Sequence, residues 1–234
     1  HLYAKEADVE GIDNLPANGP FIVVANHFNV KETEILLATL KKYDTHIVAA
    51  EKVHGEHPVR KIGLNLIRAI TAPESLAHLS EVEKQELLER IPDVFVKEKY
   101  QEVIDAETLG KTDTSGLLKF IRSSTALLSR GDVLVIYPEG LWLYDGENGS
   151  SRSHSLYKAY SGFELIAEQY KKLTGKTVPI IPTAVYIDEQ GEKKVKFASA
   201  LDANSSDTHA CMEEIARMLP KSQQGYYATK QEPD

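Results

Sequence analysis

Phe21-Ile-Val-Val-Ala-Asn-His27-Phe-Asn-Val-Lys-Glu32 runs an unbroken apolar pentapeptide straight into Asn-His, with a carboxylate five positions beyond the histidine. A short continuous apolar run bounded by polar residues reads as a strand covered on both faces. Such a strand fixes where His27 emerges, and the chain then turns into a helix from about Lys31 whose first turn carries Glu32 back toward the imidazole. Positions five apart in one continuous helix lie about 140° apart and cannot face each other, so the spacing suits a strand-turn-helix junction. The pair fits a general base with its orienting acid, and it equally fits a structural histidine hydrogen-bonded to a carboxylate.

Outward from this junction the pattern alternates between strand and helix. Glu32 to Lys42 reads as an amphipathic helix with Ile35, Leu36, Thr39 and Leu40 on one side, and His46 to Ala50 as the next strand. Pro58 to Ile67 looks helical, with an extended stretch at Ala69 to Thr71 that Ala72-Pro73 ends. From Glu74 to Gly110 the chain is charged and helical, with Leu76, Leu79, Val82, Leu87 and Ile91 on one stripe and Pro92 breaking it. Ser115 is placed to cap a long helix ending at Arg130, with Gly131 supplying the left-handed residue past its end. Val133 to Tyr137 is a buried strand, and the Gly, Ser and Asn-rich residues 145–155 form a loop. Ser161 to Leu173 is a helix stopped by Gly175, Val178 to Ile187 a strand, Lys193 to Ala198 its partner after a turn, and Ser205 to Leu219 a closing helix. The expected architecture is α/β: a single mixed, mostly parallel sheet flanked by helices over residues 1–222, with a helical insertion at 74–114. The tail at 223–234 is polar, and fraying is expected from Pro220 onward.

Composition narrows the function. The chain has 234 residues, 42% of them hydrophobic, which suffices for one generous α/β domain. Its 27 basic and 35 acidic residues give a net charge of −8 without a long basic run, which argues against nucleic-acid binding. The one cysteine, Cys211, excludes an internal disulfide and a zinc cluster of thiolates. The longest apolar runs fall short of the roughly 20 residues a bilayer requires. The chain opens on His1 rather than methionine, the mark of a trimmed or tagged chain from which an upstream membrane anchor could have been cut.

Three further clusters carry chemistry. Val133-Leu-Val-Ile-Tyr137-Pro138-Glu139-Gly140 ends a strand abruptly at its carboxyl edge, where open α/β sheets place their ligands. Glu139 is there a carboxylate on rigid support, or merely the solvated member of a turn, and Gly140 would let a substrate approach the backbone. Ile62-Gly63-Leu-Asn-Leu-Ile67-Arg68 ends an apolar run with a guanidinium suited to a phosphate or carboxylate, or with an ordinary surface arginine. Val178-Pro179-Ile-Ile-Pro182-Thr-Ala-Val185 looks structural, its prolines suited to a strand start or a sheet edge. Leu141-Trp142-Leu143-Tyr144 could touch an acyl chain or a membrane surface, and could as easily pack as a loop.

In this order the blocks resemble the lysophospholipid and glycerol-phosphate acyltransferase family, whose pattern is Asn-His-x4-Asp, a Gly/Arg block, Pro-Glu-Gly and Val-Pro-x-x-Pro. The resemblance spans about residues 16 to 187. Tyr157-Lys158 and Gly162-Phe163 to Ala167 are similar to the family's Phe-Lys-x-Gly-x-x-x-Leu-Ala segment, with the glycine displaced. The resemblance implies an O-acyltransferase that moves a fatty acyl group from an acyl-CoA or acyl-carrier-protein thioester to a hydroxyl of a (lyso)phospholipid, a glycerol-phosphate or a similar acceptor. It makes His27 the general base and puts Glu32 where the family has aspartate, with Glu34 a competitor for that role. Asn26, Arg68, Pro138, Glu139 and Gly140 are then expected at the substrate, with Asn26 or backbone N–H groups meeting the oxyanion. Where the family often shows Thr-Arg after Pro-Glu-Gly, this chain has Leu141-Trp142, so Arg152 or Lys158 would have to supply the missing cation. No bound cofactor and no metal is implied, the thioester being a substrate. The expected partners are the acyl donor, the acceptor and a membrane surface touched peripherally on the cytoplasmic side. A non-catalytic lipid or acyl-thioester binding relative is the alternative, and a metal hydrolase built on His27, Glu32 and Glu34 has too few ligands in view.

Overall fold

The computed structural model describes residues 7–27, 30–51, 68–77, 79–91, 94–111, 113–140, 156, 158–201 and 207–228. The expected helix over 58–67, the run Leu141 to Tyr144, the loop at 145–155, Arg152 and Tyr157 lie outside these residues, as does the side chain of Glu32.

A sheet of seven strands runs through the described part: β1 (Asp8–Glu10), β2 (Phe21–Ala25), β3 (Thr45–Ala50), β4 (Ile70–Ala72), β5 (Val133–Ile136), β6 (Ile180–Ile187) and β7 (Lys193–Phe197). Their order is β1-β7-β6-β2-β5-β3-β4, and every pairing is parallel except β6 with β7. The sheet is therefore mixed and mostly parallel, as its apolar runs require. Every residue of β2 and β5 is buried, because helices cover both faces.

The α-helices among the described residues are α1 (Val30–Thr39), α2 (Glu81–Arg90), α3 (Val94–Thr108), α4 (Thr114–Ser129), α5 (Gly162–Thr174) and α6 (Thr208–Met218). Side chains alternate along the strands and sort the core into two layers. Ile22, Val24, Leu134 and Ile136 pack with Leu128 of α4, Phe163 and Ile166 of α5 and Met212 and Ile215 of α6. Phe21, Val23, Ala25, Val133 and Val135 pack with Ile35 and Leu36 of α1 and with Leu40 just beyond it. The chain thus leaves β2 toward one face through α1 and leaves its neighbour β5 toward the other through α5. Adjacent strands whose connections diverge in this way open a crevice at their carboxyl ends, the place where such sheets bind ligands.

Several details differ from the sequence reading, each for a local reason. β1 went unrecognised because three residues with one half-buried side chain carry little pattern. It pairs with β7 through Asp8 to Lys194 at 2.9 Å and Glu10 to Lys196 at 3.2 Å. Val82 is not on the inner stripe of the insertion but 67% exposed. The helix begins only at Glu81, capped reciprocally by Ser80 and Glu83, so Leu76 and Leu79 precede it. The inner face is Leu87 and Leu88, which join Leu76, Ile91, Tyr100, Val103 and Ile104 in a small core of their own. Asp113, not Ser115, caps α4, accepting the Gly116 N–H at 2.8 Å. Asp207 likewise caps α6, one residue before Thr208.

Pro182 lies inside β6 between two neighbours rather than at a sheet edge. Its missing N–H falls where the partner chain bulges: Thr183 pairs with Phe197 and Ile180 with Leu201, three steps against four. Nor does the chain fray from Pro220. Two 3-10 turns, Lys221–Gln223 and Gly225–Tyr227, bring Gln223 and Tyr227 into buried positions because Tyr227 has an apolar bed among Leu156, Met212 and their neighbours.

Candidate active site

Three tethers hold the end of β2. The buried Asn26 side chain donates from Nδ2 to the Val185 carbonyl at 2.8 Å and accepts the Val185 N–H on Oδ1 at 2.7 Å. Its amide thus does for β6 what a further strand residue's backbone would do, and pins the strand end. The His27 N–H donates to Glu139 Oε1 at 2.8 Å, across the crevice between β2 and β5. Continuing the register of Val24 with Ile136 brings His27 level with Glu139, so two adjacent strand ends are latched by one carboxylate. Finally, the His27 ring stacks on the Tyr137 ring, with centroids 4.6 Å apart and planes inclined by 24°. His27, Ala25, Val23 and Phe21 follow one side of the pleat, the side α1 covers, and the imidazole therefore turns toward α1.

The Pro138-Glu139-Gly140 turn is built largely from inside. Glu139 is 1% exposed, so its carboxylate faces the protein and not solvent. Pro138 is buried and its carbonyl accepts the Tyr160 N–H at 2.7 Å. Gly140 is exposed, with φ at 64°, and a Cβ there would come within 2.4 Å of Tyr160 Cε2. Its carbonyl accepts the Tyr100 hydroxyl at 3.2 Å, so α3 of the insertion reaches the turn. Burial, then the neighbouring Tyr160 and Glu74, push the Tyr100 phenol well up; burial, then Glu107 and Glu74, do the same for Tyr160. Both remain neutral, and Tyr100 keeps the proton it donates.

The remaining expected residues divide. Lys158 is half-buried, two residues before the Tyr160 that grips Pro138, and has no ion-pair partner among the described residues. Ala159 between them donates its N–H to the Tyr227 hydroxyl at 3.0 Å, which ties this segment to the C-terminal turns. Burial pushes that phenol up to about 12. Arg68 is not brought to His27. Its guanidinium bonds Asp44 Oδ1 at 2.9 Å, and its carbonyl lies 3.1 Å from His46 Nδ1. His46 is level with Leu134 and Ile22, so Arg68 sits toward the amino ends of the strands, roughly 16 Å along the sheet from His27. Glu34 is exposed.

Sequence reasoning passed over Tyr137, Thr33, Tyr100 and Tyr160. Tyr137 had a signal, since it continues the inward series Val133, Val135 and immediately precedes Pro138. Thr33 follows from it: its Oγ1 lies 3.0 Å from the Tyr137 hydroxyl. Tyr100 had none, because nothing local tells a residue on a distant insertion which turn it will meet.

Glu139 is expected to matter for stability as well as rate. Glu139→Ala takes the acceptor away from the half-buried His27 N–H and should cost about 1–3 kcal/mol in denaturant unfolding. Glu139→Gln keeps an acceptor oxygen and should recover most of that loss. A raised acceptor KM in both variants with unchanged stability would mean the carboxylate faces the substrate instead.

A crevice at a sheet switch point, with a tethered histidine on one strand end and a Pro-Glu-Gly turn on the next, defines an α/β domain of the acyltransferase type. The acyltransferase family model matches residues 6–186, and the chain belongs to that family. Among solved structures it is similar to the 1-acyl-sn-glycerophosphate (LPA) acyltransferase PlsC from Thermotoga maritima. That likeness has a TM-score of 0.50 at 15% identity, over 90% of this chain and 68% of that one, and is one of fold. No curated protein matches the chain. No helix of the described residues is long and apolar enough to cross a membrane.

Proposed function

We propose that the protein transfers a fatty acyl group from an acyl thioester, on CoA or an acyl-carrier protein, to a hydroxyl of a lysophospholipid, a glycerol-phosphate or a similar acceptor. The observation that carries this reading is the placement of His27: backbone latched by Glu139, ring braced on Tyr137, at the mouth of the crevice between β2 and β5.

An alcohol is a weak nucleophile near neutral pH. In the proposed step a ring nitrogen of His27 takes the hydroxyl proton as the oxygen attacks the thioester carbonyl. The tetrahedral intermediate collapses with cleavage of the carbon–sulfur bond, and the imidazolium returns the proton to the leaving thiolate. An ester and a free thiol result. Glu32, on the first turn of α1, would hold the imidazole tautomer and offset its transient charge. In this reading transfer is direct, and Cys211 is no alternative nucleophile: it is fully buried on α6, where loss of water pushes its thiol far up. Backbone N–H groups of the crevice would meet the oxyanion, because the buried Asn26 amide is turned into the sheet and bonds Val185 through both Nδ2 and Oδ1.

Lys158 is the cation that supports a phosphate-bearing acceptor. It stands two residues before the Tyr160 that bonds Pro138, without a carboxylate partner among the described residues, whereas Arg68 is committed to Asp44. Peripheral contact with a membrane on the cytoplasmic side belongs to this proposal, as the acceptor would be drawn from there.

The test is to incubate the protein with isotopically labelled acyl-CoA and a lipid extract and to identify labelled products by mass spectrometry, following thiol release in parallel. Acceptor-dependent release with one labelled ester supports the proposal. A thioester that binds and stays intact with every acceptor overturns it.

A further inference from the structure

We infer that Tyr137 is a positioning residue for His27, its ring setting the plane of the imidazole and its hydroxyl, through Thr33, tying that plane to the first turn of α1. This inference rests on the reading of His27 as the base.

The two strand-end tethers on Asn26 and the His27 N–H hold only backbone. The imidazole can still swing about its own side-chain bonds, whose terminal torsion is soft. A ring nitrogen accepts a proton along a lone pair that lies in the ring plane, so tilting that plane aims it away from the acceptor hydroxyl. Tyr137 removes this freedom: the rings lie face to face at 4.6 Å and 24°. One face of the imidazole is thereby closed.

Tyr137 is itself fixed from below and at its tip. It is 9% exposed and packs in the layer that α1 covers. Its hydroxyl meets Thr33 Oγ1 at 3.0 Å, either oxygen serving as donor. Thr33 follows Glu32 directly on α1. Tyr137 therefore spans the two elements whose relative placement sets the distance between base and orienting acid. A phenylalanine would stack as well but leave α1 unlinked.

The test uses four variants of the full chain with palmitoyl-CoA as donor and a 1-acyl-glycerol 3-phosphate as acceptor. Tyr137→Phe and Thr33→Val each remove the same bond from one end, and each should lower kcat about 3- to 10-fold with acceptor KM unchanged. The double variant should be no worse than the poorer single, since the bond can be lost only once. Tyr137→Leu should be worse than either, and the His27 ring protons should lose the upfield NMR displacement that a stacked phenol imposes. Wild-type kcat in both single variants, effects that multiply in the double variant, or His27 resonances unmoved by Tyr137→Leu would overturn the inference. The NMR arm needs no turnover. A wild-type protein inactive with every acceptor but showing the displaced resonances would sink the acyltransfer proposal while leaving the stack standing.

Discussion

His27→Ala should lower kcat for acyl transfer by about 10²- to 10⁴-fold, the range that a positioned general base contributes. Its thermal midpoint should stay close to that of the parent, because the half-buried ring is not part of either core layer. The strand end loses the ring stack and keeps its two other tethers: the residue 27 N–H still reaches Glu139, and Asn26 still bonds Val185. Thiol release and a melting curve on the same preparation separate loss of chemistry from loss of fold. A folded variant retaining a tenth of the parent rate would remove His27 from the mechanism. His27→Gln sharpens the comparison, since an amide can hydrogen-bond an acceptor hydroxyl without taking its proton.

Gly140→Ala is expected to have the largest effect on stability. With φ at 64° the backbone is in the left-handed region, which costs an L-residue roughly 1–2 kcal/mol. The new methyl would stand 2.4 Å from Tyr160 Cε2, so the ring would have to turn aside on a backbone held by its N–H bond to Pro138. Backbone strain and overpacking together should destabilise by about 2–4 kcal/mol. For a chain of this length that is a fall of roughly 5–15 °C in Tm. Placing Gly140→Ala in a Tyr160→Ala background isolates the steric part: there the substitution should cost only the backbone strain. Equal costs in both backgrounds would show that the ring and the turn do not press on each other. Activity should fall along with stability in the single variant, because the displaced turn also carries Glu139, the residue that latches His27.

The frame was legible because its cause is local. Phe21 to Ala25 and Val133 to Tyr137 are apolar without interruption, Val178 to Ile187 is broken only by Thr183, and such runs belong where both faces are covered. The ends of the same runs identified His27 and the Pro138-Glu139-Gly140 turn. What the residues at those ends do was less legible, since a sequence does not show which way a side chain faces. Asn26 and Glu139 read as groups awaiting a ligand, yet each spends hydrogen bonds on backbone across the sheet. Arg68 followed an apolar run as the family pattern suggests, but strand register places it by Asp44, far from His27. β1 and the Tyr100 contact depend on pairings across most of the chain or across an insertion, and periodicity within a window carries no trace of them.

The path from Pro138 through Tyr160 and Ala159 to Tyr227 means that the crevice is supported by residues some forty positions beyond the end of the family match at 186. A graft of residues 6–186 onto another scaffold would transplant the reacting groups and leave their buttress behind. For this chain, homology marks the boundaries of a pattern, and mechanical integrity extends past them.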